Sequence, residues 1–251
     1  MPVGKVRKEV PMTKLVAEQS FWDLFPDAAI GAVVVRGMRH ADEVSEADQE
    51  AISQMLARAN READQYLTSN TISQNEVVAV WRDAYRRFKT KKGARCSIEA
   101  LLKRVLKGNP VGHITPSVDI YNAISLTYAF PVGGMNSDAF EGDVRLRITE
   151  GGDAFRPIGE DDDDPTLPGE LCYLDDAGAI CRCLNWRDGV RTCLSDESRN
   201  ALLIMECVDP QRVDALREAV DELAASVNRY LGGEIVEKRI ITKDEPELVI
   251  S

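Results

Sequence analysis

Ser117 to Gly134, SVDIYNAISLTYAFPVGG, is the stretch around which the rest of the chain is ordered. Pro116 and Ser117 predict a helix start, with Ser117 as the cap for a first-turn amide and Asp119 favoured by the positive helix end. Pro131 closes the helix. Between these limits Val118, Ile120, Tyr121, Ala123, Ile124, Leu126, Tyr128, Ala129 and Phe130 leave no solvated face, so the helix is expected to be buried on most sides. Asn122 is the odd residue. A carboxamide in such a helix costs free energy unless it is bonded, which makes it either a satisfied core group or part of a site. The Gly133-Gly134 exit reads as a turn whose free amides can face an anion or a polarised carbonyl.

Upstream, Ala28 to Met38 carries a β-branched run and predicts a buried strand. Residues 1 to 20 read as an arm. Ser45-Glu46-Ala47-Asp48 resembles a capping box, opening an amphipathic helix to about Leu67. A second helix is expected over Thr71 to Phe88, then a basic loop, KTKKGAR (89–95), and a short helix over Ser97 to Lys107 stopped by Gly108-Asn109-Pro110. Downstream the period changes to two: Val144, Leu146 and Ile148 alternate with polar residues as in a half-buried strand. Glu160 to Asp164 reads as an exposed acidic loop. Glu170 to Trp186 reads as a hairpin, Ala201 to Val208 as an apolar strand, and Asp209 to Leu231 as a helix with Pro210 at its first position and Gly232-Gly233 at its end. Glu234 to Thr242 is expected to close a sheet. No repeat of fixed period is present.

Composition narrows the chemistry. The chain has 251 residues, 44% hydrophobic and 29% charged, enough for one large core. No apolar run approaches the roughly 20 residues of a membrane span, and the first residues lack the apolar centre of a secretory signal. A cytoplasmic location is the expectation. Six cysteines without a CxxC pair read as reduced, buried thiols rather than a zinc site, and no metal is expected. Only two histidines are present, which weighs against a histidine-based nucleophile triad. Net charge is −11, yet Arg82 to Lys107 holds ten basic against two acidic side chains. That +8 segment on an otherwise acidic chain is either a solvated face or a docking surface for a single polyanion. Two further polar groups stand in apolar places: Glu206 inside ALLIMECV, and Asn185-Trp186-Arg187 at a strand end. Arg187 pairing with Glu206 is the purely structural alternative.

The succession VDIYNAISL, FPVGGMNSD, GDVRLRITEGGDAFRPIGE, PGELCYLDD, CRCLNWRDGVRT and NALLIMEC resembles the editing domain of the phenylalanyl-tRNA synthetase beta subunit, the B3/B4 module, in freestanding form. It covers about residues 84 to 208. The resemblance implies an α+β fold, a mixed β-sandwich core flanked by helices; residues 84–208 are then the editing-like core, with a strand and helices of residues 1–83 packed on it and a helix and strand of residues 209–251 completing the same domain. It also implies trans-acting hydrolysis of mischarged aminoacyl-tRNA, without metal, cofactor or covalent intermediate.

By the same resemblance Asn122, Gly133, Gly134 and Thr192 are the catalytic candidates, and Asn185, Trp186, Arg187 and Glu206 the amino-acid subsite. Arg86, Arg87, Lys89, Lys91, Lys92 and Arg95 become the tRNA contacts. Three positions depart from the family pattern. Gly133 stands where the family carries histidine, eleven residues after Asn122. Asn185 and Trp186 stand where it carries a small Ala-Gly pair, which reshapes the amino-acid cavity. A non-catalytic module binding tRNA, a free amino acid or another small metabolite is the competing expectation, and an oligomerisation scaffold a third.

Overall fold

The computed structural model describes residues 12–251. Two β-sheets and six α-helices make an α+β fold. The strands are β1 (Lys14–Ala17), β2 (Ala29–Arg36), β3 (Val132–Asn136), β4 (Val144–Ile148), β5 (Leu171–Asp175), β6 (Gly178–Arg182), β7 (Arg187–Asp188), β8 (Ala201–Cys207), β9 (Glu234–Ile241) and β10 (Glu247–Val249). The helices are α1 (Gln19–Leu24), α2 (Glu46–Glu62), α3 (Glu76–Ala84), α4 (Ser97–Leu106), α5 (Pro116–Tyr128) and α6 (Val213–Leu231).

One sheet has six strands in the order β10-β1-β4-β5-β6-β7, and the other four in the order β3-β8-β2-β9. Only the β1–β4 pair is parallel, so the larger sheet is mixed and the smaller wholly antiparallel.

Period-two alternation decides which side chains enter which layer. On β2, Ile30, Ala32 and Val34 join Leu15, Leu146, Tyr173, Leu202 and Ile204 in one core. Ala29, Val33 and Val35 point the other way and meet Leu216, Val220 and Leu223 of α6, with Ile120 and Ile124 of α5. Helix α6 lies so close to β2 that a Cβ on Gly31 would stand 2.3 Å from Val220. On the opposite side of the larger sheet, Phe155 covers Cys172, Leu174 and Ala179.

Several sequence expectations need correction. Part of the arm expected at residues 1 to 20 is β1, paired on both sides by β4 and β10; residues 1–11 lie outside the described residues. The strand expected over Ala28 to Met38 is β2, which lies between β8 and β9. The helix cap of α5 is Thr115, whose hydroxyl accepts the Val118 amide, rather than Ser117. Helix α3 starts late, at Glu76, because Asn75 turns its carboxamide back onto Ser69, Thr71 and Ile72. Gly133 and Gly134 are residues of strand β3, opposite Ile204 and Leu203 of β8, not a turn. The acidic run is more than solvated, since Glu160, Asp163 and Asp164 each pair with a cation.

Candidate functional site

Strand β8 carries Glu206 on the same face as Leu202 and Ile204, so its carboxylate enters the core with no exposure. Tyr173 of β5 donates its hydroxyl to Oε1 at 2.7 Å. The Asn185 amide donates to Oε2, also at 2.7 Å. Burial pushes the Glu206 carboxyl up from 4.5 to about 7, against the pull of these two hydrogen bonds. The group is an acid near its titration point at neutral pH, enclosed by protein.

Asn185 reaches Glu206 because of an unusual backbone. Cys183, Leu184 and Asn185 are three consecutive non-glycine residues with positive φ, at 53°, 49° and 55°. A left-handed residue costs about 1–2 kcal/mol, so the turn persists only where its surroundings hold it. The Tyr85 hydroxyl lies within hydrogen-bond reach of the carbonyls of both Cys183 and Leu184, which share its single proton. The Ser97 amide, at the start of α4, donates to the Asn185 carbonyl at 3.0 Å, and the Trp186 amide to the Arg182 carbonyl at 3.1 Å. Helices α3 and α4 thus clamp the turn. Its product is a carboxamide lying over Gly133, where a Cβ would stand 2.1 Å from Asn185 Oδ1.

Of the residues singled out from sequence, Gly133, Asn185 and Glu206 are therefore brought together. Tyr173 and Tyr85 belong to the same arrangement and were missed. A tyrosine at a buried strand position needs a partner for its hydroxyl, and that was the available signal for Tyr173. Asn122 is buried on α5, and its carboxamide bonds to no described residue. Thr192 is also buried, in a single 3-10 turn followed by Cys193, which bridges to Met135 of β3. No hydrogen bond joins either residue to Glu206. Gly134 packs against Leu194 and Leu203.

Trp186 leaves the Glu206 group and stacks between two guanidiniums, with Arg182 and Arg187 each 5.7 Å from its ring centre. Arg187 pairs with Glu160, so the alternative of an Arg187–Glu206 bridge does not hold. Behind Trp186, Arg182 forms a buried fork with Glu170 at 2.9 and 2.6 Å and also meets Asp164 at 2.9 Å. All six cysteines are free thiols, five of them buried. Among the described residues no cluster of three or more His, Cys, Asp or Glu is placed to hold a metal ion, and no helix is long and apolar enough to cross a membrane.

The basic segment spans the end of α3, the following loop and α4. Arg86 pairs with Asp83, Lys91 with Asp164, and Arg95 approaches Glu99 at 3.8 Å. Arg87 donates to the Leu24 carbonyl and lies over Phe25. Lys89 and Lys92 form no ion pair with any described residue. Arg82, Arg86, Arg95, Tyr85 and Glu99 line a notch of about 200 Å³. Its floor is the same Tyr85 that holds the left-handed turn.

The chain is thus an α+β protein of two sheets with an acid, Glu206, on the inner face of β8 held by a strained turn. Residues 80–231 match the model of the B3/4 domain, and the chain belongs to that family. Among solved structures it is similar to an N-terminal fragment of the phenylalanyl-tRNA synthetase beta-subunit from Pyrococcus horikoshii, at 12% identity and a TM-score of 0.47. That match covers 100% of this chain and 57% of the fragment, so the chain spans little more than half of that relative's length. No curated protein sequence matches the chain.

Proposed function

We propose that the protein acts in trans on aminoacylated tRNA in the cytoplasm and hydrolyses the ester of a mischarged amino acid. The observation that carries the reading is Glu206, a buried acid poised near neutrality and held by Asn185 on a turn that stores conformational energy, within a B3/4 domain. Release of the turn exposes the Glu206 carboxylate to the ammonium group of the substrate. Asn122, Asn185 and Thr192 then orient water and ester, and whichever of the Gly133 and Gly134 amides faces away from β8 meets the developing oxyanion. Water supplies the nucleophile, the ester C–O bond to the tRNA breaks, and the leaving ribose hydroxyl takes up a proton. The cations of residues 86–95 hold tRNA phosphates.

The test is deacylation of a panel of mischarged tRNAs by the pure protein. Glu206→Gln, which keeps the side-chain shape, is expected to lower turnover at least tenfold. A panel in which no ester is cleaved above buffer overturns the hydrolytic reading. One observation favours a second reading, a tRNA-binding module without turnover: Glu206 has no exposure and both its oxygens are already occupied. Salt-sensitive tRNA binding with no hydrolysis of any ester is its signature.

A further inference from the structure

Two clefts on the far side of α2 meet at His113, outside the Glu206 group. The larger, about 510 Å³, runs between Leu56 and Ala57 of α2 and Val105, Pro110 and Val111 opposite. The smaller, about 300 Å³, is bordered by Glu46, Gln49 and Glu50. Ser53, His113 and Asp119 line both. Clefts of a few hundred Å³ with an apolar wall and a few convergent polar groups are the usual form of small-ligand sites.

The polar junction is ordered by a buried carboxylate. The Asp119 side chain is 3% exposed; one oxygen accepts the Ile114 amide at 2.8 Å and the other lies 2.5 Å from His113 Nδ1. A neutral imidazole that gives its Nδ1 proton to Asp119 has its lone pair on Nε2. In that tautomer the lone pair is open to the cleft, because the His113 side chain is 73% exposed. Glu46 and Glu50, one helical turn apart on α2, add two carboxylates to the same junction. The junction therefore presents acceptors and negative charge, and the larger cleft presents an apolar wall together with one cation and one acid, Arg61 and Asp64. The wall is preformed: Asn60 staples the opposing loop to α2 by donating to the Val111 carbonyl at 3.0 Å and accepting the Val111 amide at 2.7 Å.

The geometry points to a second ligand site, for a small organic cation: a primary ammonium group, hydrogen-bonded at His113 Nε2 and neutralised by Glu46 and Glu50, on an aliphatic or aromatic body lying between Leu56 and Val105. An anionic head group of the same size meets two carboxylates and is rejected. This site does not depend on the tRNA reading.

The chain has only two histidines, His40 and His113, so imidazole NMR signals report on the site directly. Phenethylamine titrated into the full-length protein is expected to shift the His113 ring signals saturably and leave those of His40 in place. 3-Phenylpropionate, the same body with an anionic head, is expected to bind at least tenfold more weakly. Glu46→Gln with Glu50→Gln, both exposed and outside the core, is expected to weaken phenethylamine at least tenfold as read from backbone amides of 108–114. Three results overturn the proposal: no saturable shift up to about 10 mM amine, a range that covers even very weak ligands; equal binding of the carboxylate; or undiminished amine binding by the double glutamine variant.

Discussion

At the scale of single residues, Glu206 and Gly133 give two predictions. Burial raises the folded-state pKa of Glu206 from 4.5 to about 7, so between those values the folded protein keeps a proton that the unfolded chain has released. The stability contributed by the neutral acid is thus fully present below pH 4.5 and is lost as the pH rises through about 7. A shift of this size corresponds to about 3 kcal/mol. Glu206→Gln carries no such proton, and urea unfolding followed across this pH range is expected to give a flatter stability profile than wild type. A wild-type profile that is already flat contradicts the assignment. Gly133→Ala places a methyl group on the Asn185 carboxamide and breaks its bond to Glu206. The expected cost is about 1–3 kcal/mol. Loss of that donated bond also raises the Glu206 pKa further, moving the stability transition to higher pH. Glu206 was legible in the sequence as one acid in an apolar strand. Asn185 was placed near it by the resemblance, but their direct hydrogen bond was not legible, because a carboxamide 21 residues away reaches Glu206 only through backbone that no propensity assigns to Cys-Leu-Asn.

At the scale of elements, the turn after β6 is held by α3 and α4 more than by its own sequence. Tyr85→Phe removes the hydroxyl that serves two buried carbonyls. Denaturant unfolding is expected to register a loss of about 1–3 kcal/mol, and the deacylation assay a change in turnover, because the turn positions Asn185. An unchanged unfolding midpoint argues that the turn is self-supporting. The strong periodic segments, α2, α5, α6, β2 and β8, were readable because each commits a whole face to a layer. The weak elements were lost where tertiary context overrides local pattern. Lys14–Ala17 gains its strand state from neighbours on both sides. The two glycines after α5 pair with β8, and they are glycine there because Asn185 and Leu194 occupy the space where side chains would stand.

At the scale of the whole molecule, charge read from the sequence overstated what is free to bind. Of the basic segment, Lys91 is held by Asp164, Arg86 by Asp83, and Arg82 by Glu99, while Glu160 and Asp163 pair with Arg187 and Arg156 outside it. Binding of tRNA is expected to weaken steeply with salt, and Lys89→Ala with Lys92→Ala to lower the slope of log affinity against log salt by about 1–2. Filter binding at several salt concentrations measures this, and an unaltered slope places the contacts elsewhere. Arg182 is the structural counterpart of these surface ions. Arg182→Met leaves Glu170 buried and unpaired, and an expected loss of about 3–5 kcal/mol distinguishes it from any surface charge variant. The pairing of β1 with β10, sealed where the Thr13 amide donates to the Ser251 carbonyl at 3.2 Å, also governs how the molecule is made. The Thr13–Ser251 contact joins residues 238 apart in sequence, and contacts of such separation raise the contact order and slow folding. During synthesis the six-stranded sheet stays incomplete until Glu247 to Val249 leave the ribosome. Until then β1 has a bare edge, exposed to mispairing with a neighbouring nascent chain.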